Sequence, residues 1–346
     1  MDEKAYEYTE LLKKEILQSS MFFMTTTNLL VVACFAIIIS PLGKIRIGGK
    51  EAKPEFSNMS WYSMLFSAGM GIGLLFYGVA EPLFHLNETQ LFQGASATDA
   101  SLATVYFNWG IHAWAIYAIM ALAFAFFAFN MGLPLSPRSL FYPILKDRIF
   151  GIFGDVIDGI SIILTLFALA ASLGLGSMQI TDGLNYLFDI SLGLNTQIVI
   201  IILITFAATL SVISGLSKGV RILSELNLKL MFVFVVAMFL IGPTLQILEA
   251  MLSSTFTYIA GILPASAEIF NVDRGWAGTW PIFYMAWWMS WSIFVGMFIA
   301  KISKGRTFKE FILVVILIPT IFSIIWFLVL FLTLQIKIKT QGDSGS

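Results

Sequence analysis

Eight apolar runs punctuate the chain, near 21–40, 60–85, 105–130, 151–180, 196–214, 230–250, 277–300 and 310–334, and no lysine or arginine lies inside any of them. A helix needs roughly 20 apolar residues to cross the hydrocarbon of a bilayer. Each run has about that length, and the linkers between them leave no room for a separate soluble domain. A lone segment in lipid must satisfy its own backbone hydrogen bonds, which a helix does and an open strand does not. Short alternating segments of barrel type are missing from the pattern. Of the 346 residues, 58% are apolar or aromatic and 12% charged, more apolar surface than a soluble core of this size can hide. The sequence therefore predicts an all-α integral membrane protein of about eight transmembrane helices.

The basic residues orient these spans. With sides assigned alternately, the loops 41–59, 131–150, 215–229 and 301–309 hold 14 of the 20 Lys and Arg, and the remaining segments hold 6. The positive-inside rule makes the first set cytoplasmic and places both termini outside. Residues 1–20, MDEKAYEYTELLKKEILQSS, are acidic and amphipathic, unlike the basic start of a secretory signal peptide, and read as a retained surface segment. Residues 21–334 form the transmembrane domain and 335–346 a short tail. The stretch 251–276 reads as an amphipathic helix lying at the outer interface.

Several chemistries lack their residues. The chain has one cysteine, Cys34, and two distant histidines, His85 and His112, so neither a disulfide framework nor a Cys/His zinc site is expected. No GxxxxGK[ST] phosphate loop occurs, which argues against an ATP-driven motor. Nothing suggests nucleic acid as a partner, and no cofactor is expected. Glu81, Asp155, Asp158, Asp182 and Glu249 lie near span ends, where solvation or capping accounts for them, and His112 is expected to have a hydrogen-bonded packing role.

Two features inside the spans call for more than packing. The second span reads SAGMGIGLLFYGVAEP, with Gly69, Gly71, Gly73 and Gly78 ahead of Glu81. Each glycine costs about 1 kcal/mol relative to alanine in a helix interior. Gly69 and Gly73 share a face and suit close helix packing, but Gly71 lies on another face. The cluster is expected to mark an unwound stretch whose freed carbonyls can hold an ion near the membrane midplane. The seventh span carries Trp287, Trp288 and Trp291 about halfway through the bilayer, where interfacial aromatic belts do not form. Trp287 and Trp291 share a helix face and can flank one cavity. Trp109, Trp114 and Tyr117 of the third span form a second cluster; alone they would read as a belt. A quaternary ammonium has no N–H to donate and is held mainly by aromatic faces, of which indole is the best.

The stretches GMGIGLLFYGVAEP at 69–82 and WWMSWSIFVGMFIAKISKGRTFKEF at 287–311 resemble the betaine/carnitine/choline transporter family, as do WGIHAWAIY at 109–117, SLGLGSMQI at 172–180 and SGLSKGVRILSELN at 214–227. The resemblance covers nearly the whole chain. It implies sodium- or proton-coupled symport, or exchange, of trimethylammonium solutes in the plasma membrane, here a bacterial inner membrane, by a multi-pass protein that assembles as a homotrimer. It also implies a LeuT-like fold of two inverted five-helix repeats. The first repeat would span about 60–214 plus 230–250, and the second would start at 277 and remain incomplete, with three final helices missing. Carried over residue by residue, the cation box draws on Trp109, Trp114, Tyr117, Trp287, Trp288 and Trp291, with the substrate carboxylate near Gly69, Met70 and Gly71. Met70 within GMGIG resembles the sodium-coupled betaine members, which makes glycine betaine the first expected substrate, ahead of choline and carnitine. One sodium site would use carbonyls at Ser67 and Met70. A second would use Thr165 and Phe294, but Leu169 stands where a second threonine belongs, and an apolar side chain cannot ligate sodium. Met285 also departs from the pattern, where another aromatic residue is expected.

Two readings follow. The chain is a betaine-type symporter, or it is a truncated fragment or one part of a split transporter that does not carry solute alone. A membrane enzyme is not supported, because no acid, base, nucleophile and metal converge in the pattern.

Overall fold

A computed structural model describes residues 20–69, 71–190 and 193–343, with a few positions of the preceding segment, namely 7, 8, 10, 11 and 15. Most of the expected surface segment 1–20 therefore lies outside the described residues. So do Met70 and the last three residues of the tail. Twelve principal helices follow in order: α1 (Ser20–Ile39), α2 (Asn58–Gly69), α3 (Ile72–Glu88), α4 (Ala97–Trp109), α5 (Ile111–Ala125), α6 (Ile152–Phe188), α7 (Leu194–Ile213), α8 (Arg221–Ile241), α9 (Thr244–Glu268), α10 (Arg274–Thr279), α11 (Pro281–Ile302) and α12 (Phe308–Asp343). Extended pairing among the described residues is limited to an isolated bridge between Arg46 and Thr307.

Eight of the continuous helical stretches are long and apolar enough to span a membrane, and the bent pair α2–α3 makes a ninth. The chain's own hydrogen bonds show which one does not cross. Loop 41–57 is tied to loop 303–307 by Ile47 N to Arg306 O (2.9 Å), Gly305 N to Ile47 O (2.9 Å) and Phe308 N to Ile45 O (2.8 Å). The two loops share one side, so an even number of crossings lies between them, yet seven candidate spans do. At the other face, Asp273 N donates to Gln90 Oε1 (2.8 Å), just beyond the C-terminal end of α9, and Ser253 of α9 donates to Asp99 (2.7 Å). Helix α9 thus begins and ends on the outer side and lies along it. Eight crossings remain, and the chain is a multi-pass membrane protein.

The expected interfacial helix is therefore present, but it starts at Thr244 instead of near 251. The sixth span ends at Ile241 instead of 250, because Gly242 and Pro243 stop α8 and the apolar pattern runs on past them. The tail continues α12 in helix as far as Asp343. Two further spans are broken in ways the hydrophobic pattern concealed. At Gly110, between α4 and α5, a Cβ would sit 2.4 Å from Tyr106 O and 2.7 Å from Tyr258 Oη, so only glycine admits this approach. The break frees Ile111 N, which donates to the Tyr258 hydroxyl at 3.0 Å. Trp280 separates α10 from α11, whose first residue is Pro281.

The inner face is closed by Arg306, which is nearly buried. It donates to Asn58 Oδ1 (2.6 Å), Glu310 Oε1 (2.7 Å) and Phe56 O (2.9 Å), and its guanidinium lies 4.4 Å from the centre of the Trp61 ring. Trp61 Nε1 donates in turn to Ser303 Oγ. This clasp fixes the inner ends of α2, α11 and α12. On the outer side His112 is buried and shares a hydrogen bond of 3.0 Å with Ser266 Oγ of α9, the packing role expected of it.

Candidate functional site

The glycine stretch does break its span: α2 and α3 are bent by 66° across 69–72. Gly71 caps α3, and a Cβ built on it meets nothing within 4 Å, so packing does not require glycine there. Ser67, in the last turn of α2, has a buried hydroxyl with no hydrogen-bond partner. A buried polar atom left unpaired in this way costs free energy until a ligand or water satisfies it.

The break faces a cavity of about 400 Å³. Its aromatic wall comes from three broken or adjoining spans: Tyr77 of α3, Trp109 and Tyr117 of α4 and α5, and Tyr284, Trp287, Trp288 and Trp291 of α11. Ring centroids are 5.2 Å apart for Trp109 and Trp288, 5.4 Å for Trp109 and Tyr284, and 5.8 Å for Tyr117 and Trp288. Edge-to-face contacts of this kind lock the rings against one another while leaving faces free. Trp288 Nε1 donates to Asn108 O at 2.8 Å, which holds α11 against the end of α4 where the Gly110 break begins. The opposite wall is α6, which presents Ser172, Leu175, Gln179 and Asp182 along one face.

Five of the six aromatic residues expected in the box line this one cavity. Trp114 does not line it; it is buried beside Tyr117, with ring centroids 5.5 Å apart. Gly71 and Ser67 border the cavity, and Gly69 ends α2 beside it. Thr165 and Phe294 are not among the lining residues. The Thr165 hydroxyl donates to Ser161 O within its own helix, and Phe294 packs edge-on to Trp291. Met285 is fully buried. Among the described residues no three His, Cys, Asp or Glu side chains gather as a metal site.

Glu81 requires a correction. Its place near a span end suggested solvation, but the side chain is wholly buried. It accepts hydrogen bonds from Asn108 Nδ2 (2.8 Å), Trp109 Nε1 (2.7 Å) and the Tyr284 hydroxyl (2.6 Å). Helix α3 runs on to Glu88, so residue 81 sits in its interior. Tyr284 was also passed over, although it precedes Trp288 by four residues and Trp291 by seven and so shares their face. The polar face of α6 was legible in the same way, from Ser172, Gln179 and Asp182 at helical spacing.

A multi-pass helical bundle in which a discontinuous span opens onto an aromatic cavity has the construction of a secondary transporter's substrate site. The family can be named. The model of the BCCT, betaine/carnitine/choline transporter, family matches residues 2–345, and the chain belongs to that family. It is 48% identical over 316 residues to a glycine betaine/proline/choline/ectoine transporter of Vibrio parahaemolyticus, covering 89% of this chain and 56% of that protein. It is 44% identical to glycine betaine transporter 1 of the same organism, with 88% and 59% covered, and 44% identical to the glycine betaine transporter OpuD of Bacillus subtilis, with 88% and 61% covered. The chain thus spans little more than half the length of these curated relatives.

Proposed function

We propose that the chain supplies the substrate cavity of a secondary transporter for quaternary-ammonium solutes, with glycine betaine as first substrate and sodium as the coupling ion. The observation that carries this reading is the ring of indole and phenol side chains around one cavity, together with a bent span whose buried Ser67 hydroxyl has no partner. A trimethylammonium group has no hydrogen to donate, so its affinity comes from ring faces, at about 0.5–2 kcal/mol each. The names of the relatives agree with this substrate class. Sodium is favoured over the proton because the unpartnered Ser67 hydroxyl borders the cavity at the bend and offers an oxygen ligand. Assembly as a homotrimer remains part of the proposal.

A second reading, in which the chain acts only beside further helices, is favoured by α7, whose apolar window has 0% of its residues buried within this chain. One pair of assays separates the two. Glycine betaine titrated into the purified chain is expected to change tryptophan fluorescence saturably, with affinity at least about tenfold weaker in Trp288→Leu. Sodium-dependent uptake in cells lacking betaine carriers then shows whether the chain transports unaided. Binding without uptake selects the second reading, and absence of binding rejects both.

A further inference from the structure

Among the described residues Glu81 is the one acidic side chain wholly withdrawn from solvent, and it does not line the cavity. It stands behind it. Two of its three donors, Trp109 Nε1 and the Tyr284 hydroxyl, belong to rings whose faces do line the cavity, and both donate to the same oxygen, Oε2, at 2.7 and 2.6 Å. The third, Asn108 Nδ2, occupies Oε1 at 2.8 Å, and His85 Nε2 lies 3.5 Å from Oε1 with neither of its ring nitrogens otherwise partnered. Three donors converging on two oxygens suit an ionised carboxylate, which only accepts. Such charge-assisted bonds are short and about twice as strong as neutral ones.

We propose that Glu81 is the counter-charge of the aromatic box, selecting positively charged ligands by polarising Trp109 and Tyr284 through their hydrogen bonds. The inference rests on the quaternary-ammonium reading above and deepens it. Donation of an indole N–H or a phenol O–H to an anion shifts electron density into the ring. The face becomes more negative, and the attraction for a cation against it grows. The buried carboxylate also acts through space, since charges separated by a low-dielectric interior interact far more strongly than in water. Glu81 is not among the lining residues, so it sets charge preference without adding a wall contact that could exclude bulk.

The discriminating comparison is choline against its neutral carbon isostere, in which a tert-butyl group replaces trimethylammonium. The two have the same shape and differ in charge. Each is titrated into the full chain and its affinity read from tryptophan fluorescence. Glu81→Gln is expected to reduce the preference for choline over the isostere by about tenfold. Glu81→Asp, which keeps the charge, is expected to retain the preference while weakening both ligands. Tyr284→Phe removes one donor, leaves the ring and the carboxylate in place, and is expected to reduce the preference about threefold; it keeps the proposal testable should the Gln variant fail to fold. An unchanged preference in Glu81→Gln, with both ligands weakened equally, would overturn the counter-charge role and leave the substrate class standing. Failure of the wild-type chain to bind choline would overturn the counter-charge role, and failure to bind glycine betaine as well would overturn the substrate class.

Discussion

The two halves of the helix bundle are built differently. In the spans 97–130 and 308–335, 61% of the apolar window is buried within the chain, against 6% for α6, 0% for α7 and 11% for the span containing α8. Lipid is as good a neighbour for leucine as protein is, so low burial leaves the faces of the second group open to lipid or to further helices. It does change what each half can do. The close-packed half, together with α3 and α11 that pack on it, holds Tyr77, Trp109, Tyr117, Tyr284 and Trp288 in direct ring contact, whereas α6 contributes a polar face to the cavity without being clamped from behind. Even the buried hydroxyls of Ser161, Ser177 and Thr181 turn back onto their own helix, bonding Ile157 O, Gly174 O and Ser177 O. The cavity therefore lies on a seam between a rigid aromatic wall and a lightly held polar one.

The largest effects should come from the clasp of the packed half. Gly305 has φ +85°, and a Cβ there would approach Lys53 C to 2.2 Å, so Gly305→Ala is expected to abolish folding of the inner face, read as loss of monodisperse protein in detergent. Arg306→Ala leaves Asn58 Oδ1 and Phe56 O without their donor, removes the guanidinium from the Trp61 ring, and is expected to cost about 1–3 kcal/mol in chemical unfolding. By contrast Phe167→Ala, at an exposed position of α6, is expected to change stability by less than about 0.5 kcal/mol. A large loss at Phe167 would mean that α6 is packed as firmly as α12, and the contrast between the halves would disappear.

At the seam the expected order reverses. Gln179→Ala and Asp182→Asn remove polar groups from the loosely held wall, so they are expected to weaken glycine betaine binding about two- to fivefold with no measurable shift in melting temperature. If either lowers stability as much as it lowers affinity, α6 is structural as well as ligand-facing.

How much of this was legible follows from what each signal measures. Hydrophobic run length and the absence of Lys and Arg inside the runs located the long apolar helices, because both report directly on the bilayer. They could not register Gly110 or Trp280, since a break inside an apolar run leaves hydropathy unchanged and depends on contacts with Tyr258 or a proline's position. The aromatic box was readable because indoles at mid-depth have no interfacial explanation. Glu81 was not, since its role depends on Asn108 and Trp109 of α4 and Tyr284 of α11, residues 27 to 203 positions away. The four glycines at 69–78, with Gly71 off the packing face, pointed to the bend; only the fold shows that Gly71 borders the cavity and that Trp114 packs beside Tyr117 without lining it.

The smallest expected effect concerns how α6 is moored. Its inner end is held by Arg138, whose Nε donates to Asp158 Oδ2 at 2.6 Å and whose Nη2 donates to Asp155 Oδ1 at 2.8 Å. Asp158 also accepts from the backbone N of Arg138 at 2.9 Å and from the Ser136 hydroxyl, and its side chain is 20% exposed; Asp155 is 68% exposed and has the guanidinium alone. These bonds hold the guanidinium above its ordinary pKa, first through Asp158 and then through Asp155, so it stays charged at any working pH. An exposed pair is weakened by salt and by the entropy of holding two long side chains, whereas a carboxylate with several fixed donors loses less. Asp158→Asn is therefore expected to lower the melting temperature by about 2 °C and to speed proteolysis of the 131–150 loop, and Asp155→Asn to do neither above about 0.3 M salt. Equal sensitivity at the two positions would mean that net charge, and not the bonding geometry at Asp158, moors the loose half to the packed one.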